Sequence, residues 1–162
     1  MALFCAIVQG HYKRRTGARN SAEQVTNTCL KGVLVAISIP IFTSLLEKSR
    51  DAVTLSNIRA AYAEAQTTYL TANGANATDK DGNQTITYTA DKNTVSVSNV
   101  VSKGTAAGLA GTDQLPFTVD NSITGKDGMG GKAATNWIVT FTYTTDDDGN
   151  ITGVSAAANP GA

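Results

Sequence analysis

Two stretches of the chain repeat the pattern D-x-D-G-N, one from Asp79 to Asn83 and one from Asp146 to Asn150. Carboxylate and amide oxygens at alternate positions of a tight loop are ligands that a hard cation such as calcium prefers. The same residues also suit Asp-Gly-Asn turns that join two β-strands. The pattern therefore predicts either strand turns or calcium sites, and the calcium ligands would be Asp79, Asp81, Asn83, Asp146, Asp148 and Asn150.

The first of these stretches departs from a complete calcium-binding loop. Gln84 stands where such a loop has its turn glycine, and Ala90 stands where it has its chelating glutamate. The sequence around it alternates like strands and does not suggest flanking helices. Turns between strands are therefore the simpler interpretation, with calcium as the alternative.

The rest of the chain offers no set of residues for catalysis. Its one histidine, His11, lies in a basic N-terminal segment, and Cys5 and Cys29 lack the spacing of a metal site. A net charge of zero and 6% aromatic residues give no basis for binding nucleic acid. We therefore expect a protein that is not an enzyme and that needs no cofactor, with calcium as the one exception.

The longest predicted element is a helix over residues 32–74. Its first half, Val33–Leu46, has 14 residues and no polar face, whereas a helix that spans a bilayer needs roughly 20 apolar residues. Pro40 removes one helical hydrogen bond and predicts a kink, and Ser38 and Thr43 could satisfy the carbonyl that it frees. A helix of this length extends about 60 Å, which is too long for one small domain to cover. Its first half must be buried by a bilayer or by other copies of the chain.

The second half of the predicted helix, from Glu47 onward, is amphipathic. Its apolar residues recur at steps of three and four, which is typical of a helix with one buried face. The most regular of them are Leu55, Ile58, Tyr62, Ala65 and Tyr69. Asn73 and Gly74 follow, and both residue types accept the left-handed conformation that ends a helix.

Residues 75–162 alternate like β-strands between loops rich in glycine. The pattern predicts a small antiparallel sheet of three or four strands, with Leu115–Val119 as a short edge strand and Ala157–Ala162 as a loose tail. The face that packs on the helix would carry Ile86, Tyr88, Val95, Val97, Trp137, Val139, Phe141 and Tyr143. The expected fold class is α+β, with a basic and polar leader-like segment (1–31), a long helix (32–74) and a β head (75–162).

The order of residues in the helix is distinctive. An apolar run leads through Ala36 and Pro40 into Glu47-Lys48-Ser49-Arg50, and Asn57, Arg59 and Tyr62 follow. Over about 40 of the 162 residues, this order resembles the N-terminal helix of type IV pilins and pseudopilins, especially those of Gram-positive bacteria. Upstream, Lys13, Arg14, Arg15 and Gly17 are similar to the family's basic leader, but ARNSAE replaces its Phe-Thr-Leu-x-Glu.

This resemblance implies a structural subunit of a type IV pilus or pseudopilus-like filament, at the cell membrane and in an extracellular filament. Its partners would be copies of itself or related pilins, the membrane, and prepilin peptidase with the pilus assembly machinery. Counting back from Pro40 by the family's spacing places the family's inter-subunit glutamate at Glu23. The membrane and filament helix would use Val33, Leu34, Ile37, Ile39, Pro40 and Phe42. The alternative is a surface adhesion or binding module that does not assemble, in which the β head binds the ligand.

Overall fold

The computed structural model describes residues 20–105 and 107–161, with side chains from Thr28 onward. Its first element is a helix, α1 (Asn20–Thr71). Residues 1–19 of the predicted leader-like segment lie outside the described residues. The helix begins well before the predicted start at Gly32, so residues 20–31 are not separate from it. The polar composition of residues 20–31 does not exclude a helix, because polar residues such as Glu and Gln favour helices.

The C-terminal end of α1 matches the prediction closely. Asn73 and Gly74 both have the left-handed backbone that was expected there, with φ of 48° and 77°. The amide of Ala72 donates to the carbonyl of Thr68, 2.9 Å away, and the amide of Ala75 donates to the carbonyl of Ala72, 3.0 Å away. The chain therefore leaves the helix through a tight turn.

Pro40 lies inside α1, and the helix continues through it. The Ser38 hydroxyl donates to the carbonyl of Leu34 at 2.7 Å, and the Thr43 hydroxyl contacts the carbonyls of Pro40 at 3.0 Å and Ile39 at 3.3 Å. Neither hydroxyl bonds to the carbonyl of Ala36, which is the one that proline frees in a regular helix. The predicted role of Ser38 and Thr43 is thus wrong, because each hydroxyl reaches back only to its own preceding turn.

The chain divides into two compact units, one ending at Leu46 and one beginning at Glu47. The described part of the first unit is helical throughout. The second unit contains the rest of α1 and all of the sheet, and we call it the head. The arrangement is α+β, as predicted.

The head contains six strands, more than the three or four that were predicted. Their order across the sheet is β1-β2-β3-β5-β6-β4. All neighbours are antiparallel except β4 and β6, which are parallel. A short helix, α2 (Asn121–Thr124), follows β4. The strands are β1 (Ala77–Asp81), β2 (Gln84–Thr89), β3 (Thr94–Ser102), β4 (Thr118–Val119), β5 (Ala134–Thr145) and β6 (Ile151–Pro160).

The differences from the predicted sheet all lie at its edges. β1 has the polar sequence ATDKD, which carries no alternation signal. The predicted edge strand Leu115–Val119 is reduced to Thr118–Val119. The tail is paired and not loose as far as Pro160, which lies opposite Trp137 on β5. The strand predicted over Ile151–Ala156 thus continues into the tail, where small residues such as Ala158 gave a weak strand signal, yet Ala158 is buried.

The core of the head lies between α1 and one face of the sheet, as predicted. Leu55, Ile58 and Ala65 on α1 are buried, with Tyr62 and Tyr69 partly buried against the same core. The Tyr62 ring lies 4.6 Å from Phe117 and 5.4 Å from Phe141, and Tyr69 stacks on Tyr143 at 4.0 Å. The sheet contributes the eight predicted residues, all buried: Ile86, Tyr88, Val95, Val97, Trp137, Val139, Phe141 and Tyr143.

Polar side chains of α1 also hold the loop that follows β3. The amide nitrogen of Asn57 donates to the carbonyl of Val101 at 2.9 Å, and the hydroxyl of Thr54 accepts from the amide of Lys103 at 3.1 Å. The guanidinium of Arg59 reaches the carbonyl of Gln114 at 3.4 Å. Of the residues that carry the pilin resemblance, Asn57, Arg59 and Tyr62 therefore connect α1 to β3 and to the segment that leads into β4.

Candidate functional site

The apolar part of α1 is exposed on all sides. Each residue predicted for the membrane and filament helix is exposed in the structure, and the exposed fraction reaches 61% for Leu34 and 67% for Phe42. In water, a run of apolar side chains is normally stabilised by burying its surface. This part of α1 therefore needs an apolar environment around it.

The same helix is long and apolar enough to cross a membrane. An 18-residue window within Thr28–Thr71 has a mean hydropathy of 2.0, and none of that window is buried. The predicted shortfall against roughly 20 apolar residues came from counting only Val33–Leu46. A helix of this kind near the N-terminus is compatible with a membrane anchor, and a signal sequence meets the same criteria.

Glu23, the predicted inter-subunit charge, lies in the backbone of α1. Its side chain lies outside the described residues. Its proposed pairing with a neighbouring subunit stays a prediction.

The first D-x-D-G-N stretch forms the end of β1 and a two-residue hairpin turn. Asp81 pairs with Gln84, so Gly82 and Asn83 make the turn into β2, with φ of 55° at Gly82. Asp79 accepts from the amide of Lys80 at 2.8 Å. The stretch thus serves as the predicted strand turn, because a positive φ at glycine matches the twist that a tight hairpin needs.

The second D-x-D-G-N stretch connects β5 to β6, and Asp146 organises it. One carboxylate oxygen, Oδ1, accepts from the amides of Asn150 at 2.7 Å and Asp148 at 3.1 Å. The other, Oδ2, accepts from the side-chain amide of Asn150 at 3.1 Å. These hydrogen bonds lower the pKa of Asp146 below its ordinary value, and those from Asn150 contribute most. The carboxylate that would be the first calcium ligand is therefore the acceptor that closes the turn.

The two acidic turns cannot share one cation. The Asn83 carbonyl contacts Asn99 near the end of β3, whereas the amide of Tyr143, near the end of β5, donates to the carbonyl of Asn93, just before β3 begins. The turns therefore lie at opposite ends of the sheet, roughly 20 Å or more apart at the rise of a β-strand. Within the part of the chain that the structure describes, no group of three or more His, Cys, Asp or Glu residues could hold a metal ion.

Replacing Asp146 by alanine should destabilise the β5–β6 turn only when the carboxylate is ionised. Because the folded pKa is lowered, Asp146 stabilises the fold above its ordinary pKa of 3.8, and this contribution is lost as the pH falls through the lowered value. We expect a lower Tm for Asp146→Ala at pH 7, and convergence with the wild type near pH 2, in thermal unfolding followed by circular dichroism. Asp147→Ala is the matched control, since it removes an exposed carboxylate from the same turn. An equal shift in both variants would contradict the assignment.

Sequence reasoning missed an acidic contact between α1 and the edge of the sheet. Register places Asp79 and Asp81 on the same face of the sheet as Ile86, which is the face that packs on α1. Glu64 on α1 is partly buried, and its Oε2 atom is buried with no hydrogen-bond partner among the described residues. Burial first, and then the nearby Asp81 carboxylate, raise the pKa of Glu64. No local pattern reveals this contact, because the two residues meet only when the hairpin packs on the helix.

Removing the charge of Glu64 should stabilise the head at neutral pH. Because the pKa of Glu64 is raised in the folded state, its contribution to stability is fully present below the ordinary pKa of 4.5. That contribution is lost as the pH rises through the pKa of the folded state. We expect Glu64→Gln to raise the Tm at pH 7 and to leave it nearly unchanged at pH 4, with Asp81→Asn acting in the same direction. Glu47→Gln, which removes the same charge elsewhere on α1, is the control. A lower Tm for Glu64→Gln at pH 7 would contradict the contact.

In comparisons with known proteins, no protein-family model, no curated protein and no solved structure matches this chain.

Proposed function

We propose that the chain is a structural subunit of a type IV pilus or pseudopilus-like filament, anchored by the apolar part of α1. In this proposal the helix first lies in the cell membrane and then packs among the helices of other copies or of related pilins. The head stays outside as the exposed surface of the filament. The role is structural and not catalytic.

One observation carries the proposal: the described chain has a packed head together with a helix that is apolar and exposed on every side. Leu34, Ile37 and Ile39 are each more than half exposed, at 61%, 56% and 59%. A helix that only covered its own sheet would need one apolar face. An all-round apolar surface suits an environment that surrounds the helix, which is lipid in a membrane and neighbouring helices in a filament.

The pilin resemblance supports the same proposal. Asn57, Arg59 and Tyr62 match the family's order, and each connects α1 to another part of the head in this structure. The implied partners are prepilin peptidase and the assembly machinery. Glu23 is then the candidate for the charge between subunits. The filament role needs no cofactor, and calcium binding at the acidic turns stays a separate prediction, which calorimetry with millimolar calcium tests.

The experiment follows the full chain, carrying a C-terminal epitope, in its native host. We expect it in the membrane fraction and, after shearing of intact cells, in filaments labelled by gold-conjugated antibody in electron micrographs. A chain found only as a released monomer would contradict the proposal. If that monomer bound a surface ligand, the adhesion module without assembly would be the better interpretation.

A further inference from the structure

The two acidic turns share more than the D-x-D-G-N pattern. Each continues with one variable residue and then threonine, so that both read D-x-D-G-N-x-T, from Asp79 to Thr85 and from Asp146 to Thr152. The last three residues of each form Asn-x-Thr without proline, which is the acceptor sequence for N-linked glycans. The hairpin turns account for the Asp-Gly-Asn part of the repeat, and each threonine lies in the strand that follows, Thr85 in β2 and Thr152 in β6.

Both asparagines lie where a large group can be attached without disturbing the core. Asn83 is exposed at the β1–β2 turn, and its side chain makes no hydrogen bond with the rest of the described chain. Asn150 is also exposed, and its side-chain amide donates only to the exposed carboxylate of Asp146. The turns lie at opposite ends of the sheet, so the two attached groups would not collide.

We propose that Asn83 and Asn150 are acceptor sites for N-linked glycans on the head. This rests on the proposed function, because the acceptor turns must be exported to meet a glycan donor. The donor class is a sugar linked to a lipid through a diphosphate. The side-chain nitrogen of asparagine forms a bond to the anomeric carbon of the sugar, and the bond from that carbon to the diphosphate oxygen breaks. The lipid diphosphate leaves with the electron pair, and the amide nitrogen releases one proton.

The two acceptor turns differ in whether their side chains are already hydrogen-bonded. The hydroxyl of Thr152 donates to the carbonyl of Thr144 at 3.1 Å, and the Asn150 side chain is held by Asp146. Recognition of both groups in the closed β5–β6 hairpin requires these exposed hydrogen bonds to break. Asn83 has no such side-chain bond, so we expect it to be modified more completely than Asn150.

A third Asn-x-Thr sequence, from Asn76 to Thr78, serves as an internal control. The side-chain oxygen of Asn76 accepts from the backbone amide of Ala90 at 2.8 Å. This contact connects the segment before β1 to the turn after β2. Asn76 is exposed as well but lies outside the D-x-D-G-N-x-T repeat. It therefore tests whether the repeat, and not exposure alone, marks the acceptor sites.

The test is the intact mass of the full chain purified from its native host. We expect a mass above that of the polypeptide. Asn83→Gln should lose the mass of one glycan, Asn150→Gln should lose the mass of the other, and the double variant should lose both. Thr85→Val and Thr152→Val keep the asparagines and the β-branched shape but remove the hydroxyl, and they should lose the same masses. Asn76→Gln should leave the mass difference unchanged.

The outcomes separate this proposal from the filament proposal. Chains that appear in sheared filaments with the bare polypeptide mass would overturn glycosylation and leave the filament function intact. Added mass that persists in the double variant, or that is lost only in Asn76→Gln, would also overturn it. Chains absent from both membrane and filaments, with the bare mass, would overturn both. Unchanged Tm in the Thr→Val variants would confirm that the loss of mass does not come from misfolding.

Discussion

Replacing Phe141 by alanine is expected to destabilise the head by about 3 to 5 kcal/mol, the usual cost of removing a fully buried aromatic ring. Phe141 is fully buried, and its ring lies 5.4 Å from Tyr62 on α1 and 5.3 Å from Phe117. It therefore joins the helix, the sheet and the loop before β4. A single domain is stable by only about 5 to 15 kcal/mol, so this one change should bring the head close to unfolding.

Urea unfolding of the full chain measures this effect through the fluorescence of Trp137. This is the chain's one tryptophan, and it is buried in the same core, so its signal reports the head and not the exposed helix. Thr142→Ala is the matched control, since Thr142 is the next residue of β5 and is exposed on the opposite face. We expect Thr142→Ala to lower the free energy of unfolding by less than about 1 kcal/mol. A loss below about 1 kcal/mol in Phe141→Ala would mean that α1 does not pack on the sheet as described.

Replacing Ile39 by aspartate should strongly weaken membrane association while leaving the head folded. Ile39 lies near the middle of the apolar run and is 59% exposed, so it makes little contact within the chain. A charged residue at the centre of a spanning helix costs about 2.5 to 3.5 kcal/mol. Because each 1.4 kcal/mol changes an equilibrium constant about tenfold, the ratio of membrane-bound to free protein should fall by roughly 100-fold.

Two variants complete this experiment, which compares the membrane-bound and free protein after cell fractionation. Ile39→Leu keeps the position apolar and should behave like the wild type. Ser56→Asp places the same charge on an exposed position of α1 within the head and should leave the distribution unchanged. The Trp137 unfolding curve should be the same in all of them. Retention of Ile39→Asp in membranes and filaments would contradict the anchoring role of this helix.

These two experiments address different parts of one helix. After Glu47, α1 has one buried apolar face, formed by residues such as Leu55, Ile58 and Ala65. Up to Leu46, its apolar residues lie on all sides and are exposed. A change at Phe141 should therefore alter unfolding, and a change at Ile39 should alter location. An effect of both changes on both measurements would mean that the division after Leu46 has no functional meaning.

The sequence by itself determined the features that depend on local periodicity. The stripe of Leu55, Ile58 and Ala65 and the alternation around Val95 and Phe141 each follow from the spacing of apolar residues along one element. Such a pattern decides which face is buried, whatever it packs against. The α+β class and the exposed apolar run before Leu46 were therefore predictable, and so was the use of the acidic stretches as turns.

The tertiary structure decided everything that depends on residues far apart in the chain. The edge strand β1 and the C-terminal end of β6 have weak strand signals of their own, and neighbouring strands hold them through backbone hydrogen bonds. The contact between Glu64 and Asp81, and the separation of the two acidic turns to opposite ends of the sheet, depend on register and topology. A pairing between strands has a free energy that belongs to both partners, so no single segment of sequence contains it.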